Sequence, residues 1–252
     1  MRPISAAIVA RNEAANIRRC LESLRWVDEI VVIDNQSSDT TGEICRAFGC
    51  RVRVSEWLGF GRMKQMAVDT AKHDWILVLD ADEEVGDALR ERIRSLLTSE
   101  PPHVAYRVRF QGYYLGRAMR HAGWGNEHHV RLFDRRRGRY ADRRLHESWQ
   151  TEGPKGELAE PILHHAYPTV AAHMAKLDRY SRLAAQQLFE QGRRTSLVGA
   201  GARGVLRFLR MYLAQGGWLD GREGFVLSAI SAFGVFDKYL RLWELNRCKR
   251  SS

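Results

Sequence analysis

Trp75-Ile76-Leu77-Val78-Leu79-Asp80-Ala81-Asp82-Glu83-Glu84 sets an unbroken apolar run directly against four acidic residues. A continuous apolar run of this length suits a strand buried on both faces of a parallel sheet. Unpaired carboxylates cannot follow it into a core, because burying them without partners is very costly. The strand must therefore surface at its carboxyl end, the edge where open parallel sheets bind ligands. Two carboxylates one residue apart, Asp80 and Asp82, suit a hard cation such as Mg2+ or Mn2+, which takes oxygen ligands and bridges substrate phosphates; alternatively one holds metal and the other a ribose hydroxyl. Glu83 and Glu84 read more simply as the acidic start of a helix.

The same rhythm precedes this stretch. Ile4 to Val9 and Glu29 to Asp34 are short apolar runs, and Arg51 to Val54 alternates like a strand. Between them, Glu13–Arg25, a segment capped at Ser38-Asp39 and running to Phe48, and 61–71 carry helical spacing. The order predicts an α/β domain with a mostly parallel sheet and helices on both faces. After Pro101-Pro102 the pattern shifts to strands at Val104–Phe110 and His129–Phe133. From Val170 it becomes helical, at 170–191, 197–215 and 224–245. The expected organisation is a catalytic domain over 1–167 and a C-terminal helical appendage over 168–252.

Two further strand exits carry polar residues. Ala10-Arg11-Asn12-Glu13 closes the first strand, and Asp34-Asn35-Gln36-Ser37 the second. An Asp at such an exit can accept from a base N–H, and small polar neighbours let a nucleotide approach the backbone. Asp39 reads as a helix cap.

These three exits, in this order, resemble the glycosyltransferase family 2 pattern on a GT-A fold. The resemblance implies that Ala10, Arg11, Asn12, Glu13 and Asp34 bind the donor, with Asp34 on the nucleobase. It further implies that Asp80, Ala81 and Asp82 hold ribose, diphosphate and metal. The family's usual Asp-Asp-Gly-Ser is replaced here by Asp34-Asn35-Gln36-Ser37. Lys64 falls where the family places donor contacts, as a cation for the diphosphate or on a solvated helix face. His164 matches a late histidine that completes the metal shell, with His165 as its competitor. Leu145-His146-Glu147, Ile162–Tyr167, 176–181 and 220–224 resemble a subgroup that includes bacterial lipopolysaccharide-core glucosyltransferases. A non-processive, inverting transfer is implied, glucose from UDP-glucose to a lipid-linked glycan. Inversion needs one general base: Glu147, oriented by His146, with Asp142 as the alternative. Arg131 is a further candidate for phosphate contact.

The chain of 252 residues carries a formal charge of +10, which favours anionic partners without choosing among them. Four cysteines without zinc-like spacing fit a reducing compartment. The N-terminal run is too short for a signal peptide, and Phe225–Phe236 falls short of the roughly 20 residues that span a bilayer. A cytoplasmic protein is expected. Arg203, Arg207 and Arg210 among Val205, Leu206, Leu209 and Leu213 read as a basic amphipathic helix for an anionic membrane face. A nucleotidyltransferase would use a similar sheet but a Gly-rich basic loop where Arg11-Asn12-Glu13-Ala14 stand. A nucleic-acid-binding module would rest on charge alone, so no nucleic-acid partner is expected.

Overall fold

The computed structural model describes residues 1–125, 127–141 and 148–248. The chain divides into two compact units: residues 1–110 with the described part of 126–164, and 111–125 with 165 onward.

In the first unit β1 (Ile4–Ala10), β2 (Glu29–Asp34), β3 (Arg51–Val54) and β4 (Trp75–Asp80) lie parallel in the order β3-β2-β1-β4. The connecting helices are α1 (Ile17–Ser23), α2 (Thr41–Ala47) and α3 (Phe60–Thr70). Side chains alternate along a strand, and the two resulting faces have separate cores. Ile8, Ala10, Val32, Leu77 and Leu79 pack with α1, α2 and α4 (Asp87–Leu96). Ala7, Val31, Ile33, Ile76 and Val78 pack with Met63, Ala67 and Val68 of α3. Helices cover both faces, so the α/β layering expected from the strand–helix rhythm is present.

Past β4 the sheet changes direction. It continues through β8 (His128–Asp134), β6 (Ala105–Tyr114), β11 (Lys155–Tyr167) and β5 (Glu83–Val85), in the order β4-β8-β6-β11-β5. The β4–β8, β6–β8 and β5–β11 pairs are antiparallel. Glu83 and Glu84 therefore sit in a strand, and α4 starts only at Asp87. The expectation of a helix start at Glu83-Glu84 is corrected: β11 offers an edge, and pairing with it outweighs the acidic preference for a helix N-terminus. A small ladder of β9 (Arg139–Tyr140) and β10 (Trp149–Gln150) carries Trp149, which stacks on Phe133 with ring centroids 3.7 Å apart.

The second unit contains the hairpin of β6 with β7 (Arg117–Ala118) and three helices, α5 (Val170–Glu190), α6 (Leu197–Leu209) and α7 (Gly221–Cys248). A π-helical turn at Arg210–Ala214 extends α6. Thr169 caps α5 by accepting from Ala172 N–H, and Ser196 caps α6 by accepting from Gly199 N–H. Asp220 is buried and accepts from the N–H groups of Arg120 and His121 and from His121 Nδ1. Glu223 pairs with Arg117 at 2.8 Å. A Cβ on Gly224 would lie 1.9 Å from Gly217 O, so no larger residue fits there. The 220–224 segment thus ties the 111–125 loop to α7. Among the described residues no helix is long and apolar enough to cross a membrane.

Candidate active site

The carboxyl ends of β2, β1 and β4 are neighbours in register: Ala10 pairs with Asp34, and Val9 with Asp80. At ~4.8 Å per strand, Asp34 and Asp80 flank β1 roughly 10 Å apart. They leave opposite faces of the sheet. Asp34 shares a face with Ala10 and Val32, and Asp80 shares one with Ile76 and Val78. A ligand reaching both must lie across the rim.

The β1 and β2 exits are laced together. Asn12 and Gln36 both have positive φ, 54° and 50°, a region uncommon for residues other than glycine. Asn12 N–H donates to Ser37 Oγ at 3.0 Å, and Asn12 Oδ1 accepts from Ser38 N–H at 2.8 Å. Asp34 Oδ1 accepts from Ser37 N–H at 3.0 Å. Gly42 stands where a Cβ would come within 2.9 Å of Asp34 Oδ2. Asp39 accepts from Thr41 N–H and Ala14 N–H, joining the two loops as a structural brace. Of the first exit, Ala10 is buried and its carbonyl accepts from Asn35 N–H, Glu13 N–H donates to Thr41, and Arg11 is exposed.

Around β4 the acids are engaged by cations. Lys64 Nζ lies 3.0 Å from Asp80 Oδ1, and Arg131 NH2 lies 3.0 Å from Asp80 Oδ2 and 2.6 Å from Glu83 Oε1. Lys64, Arg131 and Glu83 are all buried, so the solvated-face alternative for Lys64 fails. Glu83 also accepts from Asp80 N–H at 2.8 Å. Burial by itself would raise the Asp80 carboxyl, but the charges of Lys64 and Arg131 outweigh it and hold it well below the usual carboxylate range. Burial pushes Glu83 up to about 8, with Arg131 opposing and Asp80 adding to the rise.

Asp82 stands beside His164, Oδ2 to Nε2 at 3.3 Å, and Phe110 lies edge-on to the same imidazole. Residue 164 is placed there by the β5–β11 pairing, which sets His164 opposite Glu83. His165 instead stacks on Tyr113. Ala81 is buried in the core. Among the described residues no group of three or more His, Cys, Asp or Glu forms a ready metal cage. By donor chemistry, Asp82 and His164 are the residues that could hold a divalent cation, whose remaining ligands would come from elsewhere. Both Asp80 oxygens are already met by cations. Glu147, His146 and Asp142 lie outside the described residues.

The residues underrated by sequence reasoning are Glu83 and Arg131. A lone Arg inside Val130-Arg131-Leu132-Phe133 was the available signal: a strand buried at that point needs a buried acid for it.

Residues 5–151 match the model for glycosyl transferase family 2. The chain is 30% identical to the lipopolysaccharide core biosynthesis glycosyltransferase LpsC of Rhizobium meliloti (strain 1021), covering 98% of this chain and 94% of that one. An uncharacterized glycosyltransferase of Rickettsia typhi (strain ATCC VR-144 / Wilmington) is 27% identical, over 100% and 90% of the two chains. The crystal structure of S. aureus TarS 1-349 superposes with a TM-score of 0.47 at 14% identity, covering 98% of this chain and 92% of that one. With the family model covering more than half its length and a 30%-identical relative aligned almost end to end, the chain belongs to glycosyl transferase family 2 and is a glycosyltransferase.

Proposed function

We propose that the enzyme moves a sugar, glucose from UDP-glucose in the first instance, in a single inverting transfer to a lipid-linked glycan of the lipopolysaccharide core. The observation that carries this is the alignment of Asp34 and Asp80 on strands flanking β1, with Asp82 and His164 beyond them. The acceptor class is supported by the LpsC likeness along nearly the whole chain.

In this reading Asp34 receives the nucleobase through a base N–H. Asp80 stays ionised because Lys64 and Arg131 face it, and Lys64 brings positive charge to the rim where a diphosphate would lie. Arg131 and Glu83 hold that arrangement rigid from below. Asp82 and His164 are the residues that would hold a divalent cation, which as a Lewis acid neutralises charge on the leaving diphosphate. Glu147 takes the acceptor hydroxyl's proton with His146 orienting it, and Asp142 is the alternative base.

The helical unit supports contact with an anionic membrane surface on the cytoplasmic side. Its α6 region exposes Val205, Leu206 and Leu213 alongside Arg203 and Arg210. Cys20, Cys45 and Cys50 are unbridged thiols, in keeping with a reducing compartment.

The test is a thermal-shift screen of nucleotide sugars with and without Mn2+. A ligand at about 100 times its Kd stabilises by about 2.7 kcal/mol. UDP-glucose should raise the melting temperature with Mn2+ and lose that effect on chelation. Equal shifts with and without metal, or none with any UDP-sugar, would overturn the reading.

A further inference from the structure

The helical unit has a cavity of its own. Between α5, α6 and α7 lies an open cavity of about 420 Å³, within the range of small-molecule sites. Gly234 lines it, and Gly204 marks the close approach of α6 to α7 beside it. A Cβ on Gly234 of α7 would lie 2.9 Å from Leu177 Cδ1 of α5, and one on Gly204 of α6 would lie 3.1 Å from Phe236 Cβ of α7. The helices approach closely at these points, and small residues such as Ser181, Ala184 and Ser231 leave the space between them unfilled.

The lining is cationic. Lys176 of α5, Arg207 of α6 and Lys238 of α7 line the cavity; Lys176 Nζ lies 5.2 Å from the Tyr167 ring centre and Lys238 Nζ 4.7 Å from that of Tyr239, and among the described residues none of the three has a carboxylate at ion-pair distance. The neighbouring acids are engaged elsewhere: Asp178 pairs with Arg182 and Arg241, and Asp237 pairs with Arg241 and accepts from Ser181 Oγ. Arg207 Nε is buried with no hydrogen-bond partner. Burial and the neighbouring Arg210 charge both lower the Arg207 pKa, so an anion beside it would relieve both. Leu177, Tyr180 and Val235, also in the lining, are apolar or aromatic.

We propose that this cavity binds a phosphate-bearing group through Lys176, Arg207 and Lys238. Three cations contributed by separate helices match the oxygens of a phosphate, and the apolar lining takes whatever the phosphate is attached to. All of its lining residues belong to the helical unit. A phosphorylated lipid and a phosphorylated glycan share the chemistry it recognises.

The test is calorimetric titration of the full chain with inorganic phosphate, dihexanoyl phosphatidic acid and dihexanoyl phosphatidylcholine, the donor rim first saturated with UDP. The two unblocked phosphates should bind and phosphatidylcholine should not. The Lys176→Gln/Lys238→Gln variant should weaken that binding about tenfold or more, since each charge-assisted bond contributes strongly, with UDP binding unchanged. Tighter binding of phosphatidic acid than of phosphate assigns the site to lipid; equal binding assigns it to phosphate on the glycan. Absence of binding, or an unaffected double variant, overturns the proposal. If UDP itself does not bind, the donor reading fails separately, and the titrations without UDP still decide this one.

Discussion

In the sheet unit, Ile8, Val32, Ile33, Leu77 and Leu79 are completely covered, and the two faces of the sheet carry continuous cores. In the helical unit, Val198, Val205, Leu206, Leu213 and Trp218 each remain more than half exposed, and the fully buried cluster is small: Tyr114, Met119, Ala122, Met211 and Leu227. The difference is one of construction. A sheet covered by helices on both faces removes its apolar side chains from water by its own folding, and each fully buried one contributes about 1.5–3 kcal/mol. Three helices with two close-approach glycines cannot cover all their apolar faces. Exposed apolar side chains on that unit are the feature the membrane proposal draws on. The sheet unit holds rigid chemistry, and the helical unit offers surface.

The contrast can be broken first at the rim. Asp82→Ala should lower sugar transfer by a factor on the order of 1,000 while the fold's melting temperature moves little, because Asp82 is partly exposed beside His164. Steady-state transfer rates alongside thermal melts check it; near-normal turnover would remove Asp82 from the site.

Arg131→Leu should act oppositely, on stability. It leaves Glu83 and Asp80 without a shared buried partner, and breaking such a group costs about 3–5 kcal/mol. For a chain of this size the melting temperature should fall by roughly 10 °C. A melt within a degree or two of the parent would show that the rim does not depend on this pair.

A pH test bears on the helical unit. His173 is buried, its Nδ1 3.0 Å from the Tyr114 hydroxyl, and burial lowers its pKa from 6.5 to about 4. Because the folded value is depressed, the unfolded chain takes up the proton first. The contribution is complete above about pH 6.5 and is lost as the pH falls toward 4. It amounts to at most about 3 kcal/mol. Denaturant unfolding between pH 7 and 4.5 should show that loss, and His173→Gln should flatten it.

The smallest effect on stability belongs to the exposed face. Val205→Ser with Leu206→Ser should change unfolding free energy by no more than about 0.5 kcal/mol and clearly reduce flotation with anionic liposomes. Unchanged flotation, or none by the parent at low salt, would leave that face without a membrane role.

The parallel core was legible in the chain because its signals are local. An apolar run followed by Asp80, and another followed by Asp34, identify strands and their exits without reference to distant residues. The three long helices showed their periodicity in the same way, within a few residues of the observed ends. β5 and β11 were not legible: Glu83-Glu84-Val85 is a strand only because Leu163 and its neighbours, some eighty positions later, supply its hydrogen bonds. The same holds for the 111–125 loop, which joins the helical unit through Asp220.

The sequence by itself determined the strand–helix order of the parallel half, the long C-terminal helices, the acidic exits and the chemistry they offer, since hydrophobic period and the cost of burying charge act within each segment. Tertiary structure alone decided which charges meet: Lys64 and Arg131 on Asp80, His164 beside Asp82, and Lys176, Arg207 and Lys238 around one cavity. Those meetings depend on sheet register and helix approach, which long-range pairing sets and no short stretch of sequence encodes.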